Sequence, residues 1–294
     1  MSYPEIPIIK NNPTLDGMYK FVQNVVYSTA TEKELTMDLI LPWNADQEAV
    51  EKQPKPLIVF VQGSAWTTPD RFFELPQLCE LARKGYVIAT CGHRSAVEGA
   101  RIPSFLKDVK CAIRFLRKNA AKYSIDPERV MIFGTSSGGN TSLLVGLTGD
   151  DPQFETEENA GYSDAVKAVV ECFGPADLRM TFHYDPERVI DENTPGIDLA
   201  LGMFGKEFKT WGEQMDYISP VNYVKEGKTY PPFLLLHGTA DRVVSYDETV
   251  KIYHKMLDCG INAKAYAIEG ADHEGDFWSR ELWEIITNYI AEVL

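Results

Sequence analysis

The sequence predicts an α/β fold: a mostly parallel central sheet with helices on both faces and an antiparallel hairpin at its N-terminal end. Three observations predict it. Apolar runs of about five residues without alternation, such as Leu57 to Val61, recur along the chain, as strands covered on both faces require. Amphipathic helical stretches separate these runs. Short Gly-containing turns join them, the rhythm of a sheet built by crossover connections.

The elements follow in order. Phe21 to Ser28 and Leu35 to Leu41 are rich in β-formers, the second alternating Leu35, Met37, Leu39 and Leu41, and pair as a hairpin at the sheet's exposed end. Asp46 to Pro56 is polar, with Pro54 and Pro56, and reads as a surface loop leading into the buried strand Leu57 to Val61. A helix is expected from about Phe72 to Lys84, closed by Gly85, then a strand from Tyr86 to Thr90. Leu106, Val109, Ile113, Leu116 and Ala120 recur at spacings of three and four, marking an amphipathic helix. A strand at Val130 to Phe133, a helix from Asn140 to Leu147 and a strand at Val166 to Phe173 come next. The chain closes with a strand at Phe233 to His237, a helix from about Tyr246 to Leu257, a strand at Ala263 to Ile268 and a helix from about Asp276 to Val293.

Asp177 to Tyr230 breaks the rhythm. It holds Pro186, Pro195 and Pro220 and mixes Phe182, Tyr184, Phe204, Phe208 and Trp211 with charge. A structureless loop of that length is unusual inside a compact domain, so the expectation is one domain over 1–294 with a partly helical cap or lid at about 177–230.

Composition narrows the function. With 43 acidic against 29 basic residues the net charge is −14 over 294 residues, a field that repels nucleic acid and anionic lipid. No apolar run approaches the ~20 residues needed to span a bilayer. Met1 to Pro13 lacks the basic start and apolar core of a secretory signal, so the chain is expected to be cytoplasmic. The five cysteines are odd in number and form no C-x-x-C pair, which suggests neither a disulfide framework nor a zinc knuckle.

The chemistry concentrates where Val130 to Phe133 runs into Gly134-Thr135-Ser136-Ser137-Gly138-Gly139. This fits G-x-S-x-G, in which a nucleophilic serine sits on a strained strand-to-helix turn. A serine hydroxyl needs a base. Of His93, His183, His237, His254 and His273, His237 ends an apolar strand and His254 lies in mid-helix, where structural roles are usual. His273 follows the last strand, on the side where the serine turn lies, and is the best candidate. A carboxylate must hold the imidazole's tautomer. Asp241 after the strand ending at His237 is preferred and Asp177 is the alternative, since both keep the chain order serine, acid, histidine. Asp272 adjoins the base and could not readily turn back to its ring. An oxyanion needs preorganised donors. The Ser137 N–H at the helix start is one, and the turn Gln62-Gly63-Ser64-Ala65-Trp66 offers the amide of Ser64 or Ala65 as the other. Trp66, Phe182 and Trp211 are candidate pocket residues, with core packing the plainer role for Trp66.

Together these stretches, with Asp126-Pro127-Glu128-Arg129-Val130, His237-Gly238-Thr239-Ala240-Asp241 and Asp272-His273, resemble the α/β-hydrolase superfamily. Within it the chain is similar, from about residue 35 to 294, to hormone-sensitive-lipase-like and feruloyl or acetylxylan esterase-like enzymes. The resemblance implies an α/β-hydrolase fold, the triad Ser136, Asp241 and His273, no cofactor and no metal. One departure is visible: relatives usually carry His-Gly-Gly-Gly and an aromatic residue where this chain has Gln62-Gly63-Ser64-Ala65-Trp66.

The function expected is a serine carboxylesterase acting on short acyl esters, including acetyl groups on carbohydrate, with a small-molecule or oligosaccharide ester as partner and self-association as a homo-oligomer left open. An amidase or peptidase of the same fold, kynurenine formamidase-like or prolyl-peptidase-like, is the alternative, followed by a non-catalytic binding protein. Activity is expected to rise with pH as an imidazole base loses its proton.

Overall fold

In the computed structural model, residues 4–11, 17–43, 54–187, 194 and 196–294 are described. The expected loop at 46–56 therefore lies mostly outside the described residues, as do 1–3 and 12–16 of the N-terminal stretch and 188–193 and 195 of the insertion.

Among the described residues, eight strands form one sheet: β1 (Tyr19–Ser28), β2 (Leu35–Pro42), β3 (Lys55–Val61), β4 (Val87–Cys91), β5 (Ile125–Thr135), β6 (Val169–Cys172), β7 (Phe233–Gly238) and β8 (Ala263–Ile268). Their spatial order is β1-β2-β4-β3-β5-β6-β7-β8. β1 and β2 are an antiparallel hairpin at one edge, and β2 also runs antiparallel to β4. All remaining pairings are parallel.

Alternate side chains of the central strands supply two cores. Leu57, Val59 and Val61 of β3 share a core with α2 (Ser104–Lys118), α3 (Ala120–Tyr123), α4 (Ser137–Leu147) and α8 (Tyr246–Asp258). Ile58 and Phe60 face α1 (Leu75–Arg83) and α9 (Arg280–Val293). Burial on both faces explains why these strands read as unbroken apolar runs, each large side chain contributing about 1.5–3 kcal/mol.

Some boundaries differ from expectation. α1 begins at Leu75, not near Phe72; Pro76 occupies its first turn, where a missing N–H costs nothing, while residues 71–74 form a turn. β6 is confined to Val169–Cys172. α9 begins at Arg280 because the Ser279 hydroxyl accepts the Leu282 N–H and caps it, and Gly275–Phe277 form a separate 3-10 turn.

The insertion contains α5 (Leu178–Thr181), α6 (Ile197–Phe204) and α7 (Trp211–Tyr217). Its aromatic side chains join the first core: Phe182 lies 6.2 Å from Trp66, the rings stacked, and 5.4 Å from Phe204.

The sheet order reverses at β3, whose neighbours are β4 and β5, and such a switch point is where ligands of open α/β sheets bind. The register aligns the strand ends: Val61 pairs with Gly134, Thr135 with Cys172, and Gly238 with Ile268. The segments leaving β3, β5, β7 and β8 therefore emerge on one rim.

Candidate active site

Ser136 follows β5 with φ 51° and ψ −124°, a backbone conformation that costs a non-glycine residue of order 1–3 kcal/mol. The surroundings hold it there. Its N–H donates to the Cys172 carbonyl at 2.9 Å, and its carbonyl accepts the Asn140 N–H at 3.0 Å. The turn is tight because α4 passes against β3. A Cβ on Gly138 would stand 2.0 Å from the Val61 carbonyl oxygen, so only glycine permits that approach.

Ser136, His273 and Asp241 form one hydrogen-bonded chain. His273 Nε2 lies 2.9 Å from Ser136 Oγ, and His273 Nδ1 lies 2.8 Å from Asp241 Oδ2. A carboxylate only accepts, so Nδ1 carries the proton and Nε2 is left to accept the serine hydroxyl. Asp177, the alternative acid, is elsewhere engaged: it pairs with Lys251 and accepts the Arg179 N–H at the start of α5.

The Asp241 carboxylate is buried. Burial pushes its pKa up, but hydrogen bonds from His237, His273, Val244 and Val243 outweigh that and hold it well below the usual carboxylate range. The Val243 and Val244 amides donate to Oδ1 at 2.8 and 2.9 Å.

His237 belongs to the same network. Its Nε2 lies 3.1 Å from Asp241 Oδ2 and 3.0 Å from the Val244 carbonyl, both pure acceptors, so Nε2 carries a proton. Nδ1 lies 2.6 Å from Thr249 Oγ1. A histidine at a strand end reads as structural; the available signal was its spacing of four from Asp241.

Asp272 turns away from the His273 ring. Its Oδ1 accepts the N–H groups of His273 (2.8 Å) and Arg242 (2.9 Å), and Oδ2 accepts Arg242 Nε at 2.6 Å. It thereby ties the loop carrying the imidazole to the loop carrying Asp241. Phe173, after β6, sets its ring edge-on to His273 at 4.8 Å.

The turn after β3 is braced against the serine turn. Gly63 N–H donates to Thr135 Oγ1 and Ser64 N–H to Ser137 Oγ, each at 2.9 Å. The Ser64 amide is thus taken. The N–H groups of Ala65 and Ser137 donate to no acceptor among the described residues. Ala65 and Trp66 have φ 49° and 55°, the left-handed region that only glycine enters without strain.

Of the candidate pocket residues, Trp66 and Trp211 are buried at 3% exposure, and Trp211 Nε1 donates to the Gly205 carbonyl at 2.9 Å. Phe182 is half-buried and lines, with His183, Tyr184 and Trp211, a cavity of about 60 Å³ in the insertion. Among the described residues no three His, Cys, Asp or Glu side chains are grouped to hold a metal ion, and no helix is long and apolar enough to cross a membrane.

Comparison with known proteins identifies the family of the chain. Residues 37–256 match the BD-FAE family model. Esterase LipC of Mycobacterium tuberculosis is 30% identical over 227 residues, 76% of this chain and 54% of that protein. Isoprenylcysteine α-carbonyl methylesterase ICME of Arabidopsis thaliana is 23% identical, covering 85% of this chain and 56% of that protein. The chain spans about half the length of the curated relatives it matches. A solved structure described as a truncated carbohydrate esterase from gut microbiota superposes with a TM-score of 0.76 at 28% identity, covering 94% of this chain and 97% of that one. Esterase Est2 of Thermogutta terrifontis, solved with propionate, gives 0.73 at 21% identity over 96% of each chain. The fold is that of the α/β hydrolases.

Proposed function

Because the chain belongs to the BD-FAE family, we propose that it is a serine carboxylesterase and that Ser136, His273 and Asp241 are its catalytic triad. The observation that carries this reading is the unbroken hydrogen-bonded chain from Ser136 Oγ through both nitrogens of His273 to Asp241, on the rim where α/β folds bind ligands.

Ser136 Oγ attacks the ester carbonyl carbon while His273 Nε2 takes the hydroxyl proton. The carbonyl oxygen becomes an oxyanion and accepts from the Ser137 and Ala65 N–H groups, already oriented before charge develops. Collapse breaks the bond to the alcohol, which leaves with the proton from Nε2, and an acyl group remains on Ser136. Water then attacks that acyl group, giving its proton to His273, and the acid departs as the proton returns to Ser136. Asp241 stabilises the imidazolium in both halves.

The substrate class we propose is a short acyl ester, with acetyl groups on carbohydrate as the first case. The carbohydrate esterase of matching length supports that choice. In this reading the chain is one domain, the helices of the 177–230 insertion cap the rim, and Phe182 lines the pocket with Trp66 and Trp211 behind it.

The test is hydrolysis of a panel from p-nitrophenyl acetate to octanoate, with acetylated xylan, by wild type and Ser136→Ala, alongside labelling by a fluorophosphonate. Activity confined to short acyl chains and labelling lost with Ser136 are expected. A fully active Ser136→Ala would end the proposal.

A further inference from the structure

On the face of the sheet opposite α4, between the starts of α1 and α9, lies a cavity of about 70 Å³, several times the space one water needs. Its wall is aromatic. Phe60 and Phe133 meet edge to face at 5.0 Å, Phe133 and Trp283 lie 6.3 Å apart, and Trp283 and Trp278 lie 6.5 Å apart. Phe73, largely exposed, stands at its edge. None of these groups takes part in the reaction proposed above.

Into this aromatic enclosure points one carboxyl group. Glu74 is 8% exposed and lines the cavity, and no other described residue donates to either of its oxygens; its own backbone N–H alone lies close enough to favour the charged form. Its side chain does not cap α1, at whose start it sits. Two buried oxygens without a donor from any other residue are a costly arrangement in either protonation state, because a neutral carboxyl still has a hydroxyl and a carbonyl to satisfy. The charges that act most strongly on Glu74 are those of Glu274 and Asp70, both negative. Burial foremost, then Glu274 and Asp70, push its carboxyl up to about 8, the response of an acid lacking a cation.

We propose that this cavity binds a small organic ammonium ion, its N–H or N–CH₃ groups against the Glu74 carboxylate and its charge on the faces of Phe133, Trp278 and Trp283. Aromatic faces attract cations most strongly where water is excluded, and the buried carboxylate gains the partner the chain does not supply. The cavity adjoins the loop that carries His273: Trp278 Nε1 donates to Glu274 Oε2 at 3.1 Å, immediately after the imidazole in sequence.

The test titrates wild type and Glu74→Gln with methylammonium and tetramethylammonium chloride, read by tryptophan fluorescence and calorimetry, against sodium chloride and tert-butanol. Saturable binding of at least one ammonium salt to wild type, weakened roughly tenfold or more by Glu74→Gln with ester hydrolysis unchanged, is expected. Affinity should also rise by roughly tenfold or more from about pH 6 to about pH 9 as Glu74 ionises, a readout that stands if Glu74→Gln fails to fold. Responses matched by sodium chloride or tert-butanol, or ammonium binding indifferent to pH, would show a hydrated cavity and overturn the proposal. The binding and pH readouts stand whether or not the rim hydrolyses esters.

Discussion

His237 donates its Nε2–H to Asp241 Oδ2 at 3.1 Å, the same oxygen that receives the proton on His273 Nδ1. The acid of the proposed triad is thus held by two imidazoles and two backbone amides, four donors on two oxygens. Such a carboxylate stays ionised and cannot rotate away from His273. His237 is a positioning residue in this scheme, itself oriented by Thr249.

His237→Phe keeps a ring of similar size and removes the donor. A hydrogen bond to a buried charge is worth about 1.5–3 kcal/mol, so kcat is expected to fall by roughly ten-fold or more, with KM little changed. The acid limb of the pH–rate profile should shift as Asp241 is held less firmly, which a purely packing role for His237 would not cause. Unaltered kcat and an unaltered profile would remove His237 from the network.

The strained backbone of Ser136 permits a test that separates activity from stability. Ser136→Ala is expected to lower kcat by roughly 10⁴-fold or more and to retain the strain. Ser136→Gly should be equally inactive but more stable, because glycine adopts φ 51° without penalty. Relief of about 1 kcal/mol would raise Tm by a few degrees. If the two variants melt together, the backbone stores no strain there.

The donor loop rests on two close contacts. Ser137→Ala removes the acceptor of the Ser64 N–H and is expected to lower kcat by about ten-fold as the loop carrying Ala65 loosens, since a lost oxyanion donor costs ~10²–10³-fold. Gly63→Ala is harsher. The added Cβ would stand 2.5 Å from Ser136 Cβ and 2.9 Å from the Thr135 carbonyl oxygen, so nucleophile or loop must move, and turnover should fall by ~10²-fold or more. Circular dichroism would establish that both variants fold. A Gly63→Ala enzyme with normal turnover would contradict the assignment of this loop.

Much of the architecture was legible because buried parallel strands are continuous apolar runs, and Gly134 to Gly139 announces its own turn. What was not legible depended on partners distant in sequence. Ser64 and Ala65 are equivalent donors on paper; they part only because Ser137 Oγ, 73 residues away, accepts one of them. Chain order could not separate Asp177 from Asp241, and the difference lies in Lys251, which takes Asp177. The role of His237 stayed hidden because a strand-end histidine looks structural until Asp241 is seen against its ring. The helix expected from about Phe72 begins instead at Leu75, with Pro76 in its first turn.

Stability should depend on pH in a direction opposite to that of a protein held by carboxylate ion pairs. Glu171 of β6 is fully buried; one oxygen accepts the Gly174 N–H and the other meets no donor. Burial, reinforced by the charge of Glu248, pushes its carboxyl up to about 8. Glu248 accepts the N–H groups of Ala176 and Asp177 and the Thr181 hydroxyl, yet burial still holds it up to about 7. An unfolded glutamate titrates near ~4.3, so from there to ~8 the native chain keeps protons that the unfolded chain has released. The stabilisation is complete below the unfolded value and is lost as pH rises through the native ones. Asp241 acts with the opposite sign, but its contribution changes only below ~pH 4, where an unfolded aspartate takes up its proton. Tm at constant ionic strength is therefore expected to decline from about pH 5 to about pH 8.5. The loss from Glu171 alone is on the order of a few kcal/mol, since each tenfold difference in proton affinity between native and unfolded chain is worth ~1.4 kcal/mol. Glu171→Gln, which cannot ionise, should flatten the decline while Glu248 and Glu74 keep part of it. A Tm that holds level or rises across this range, or a Glu171→Gln slope equal to wild type, would mean that Glu171 is not protonated in the native protein.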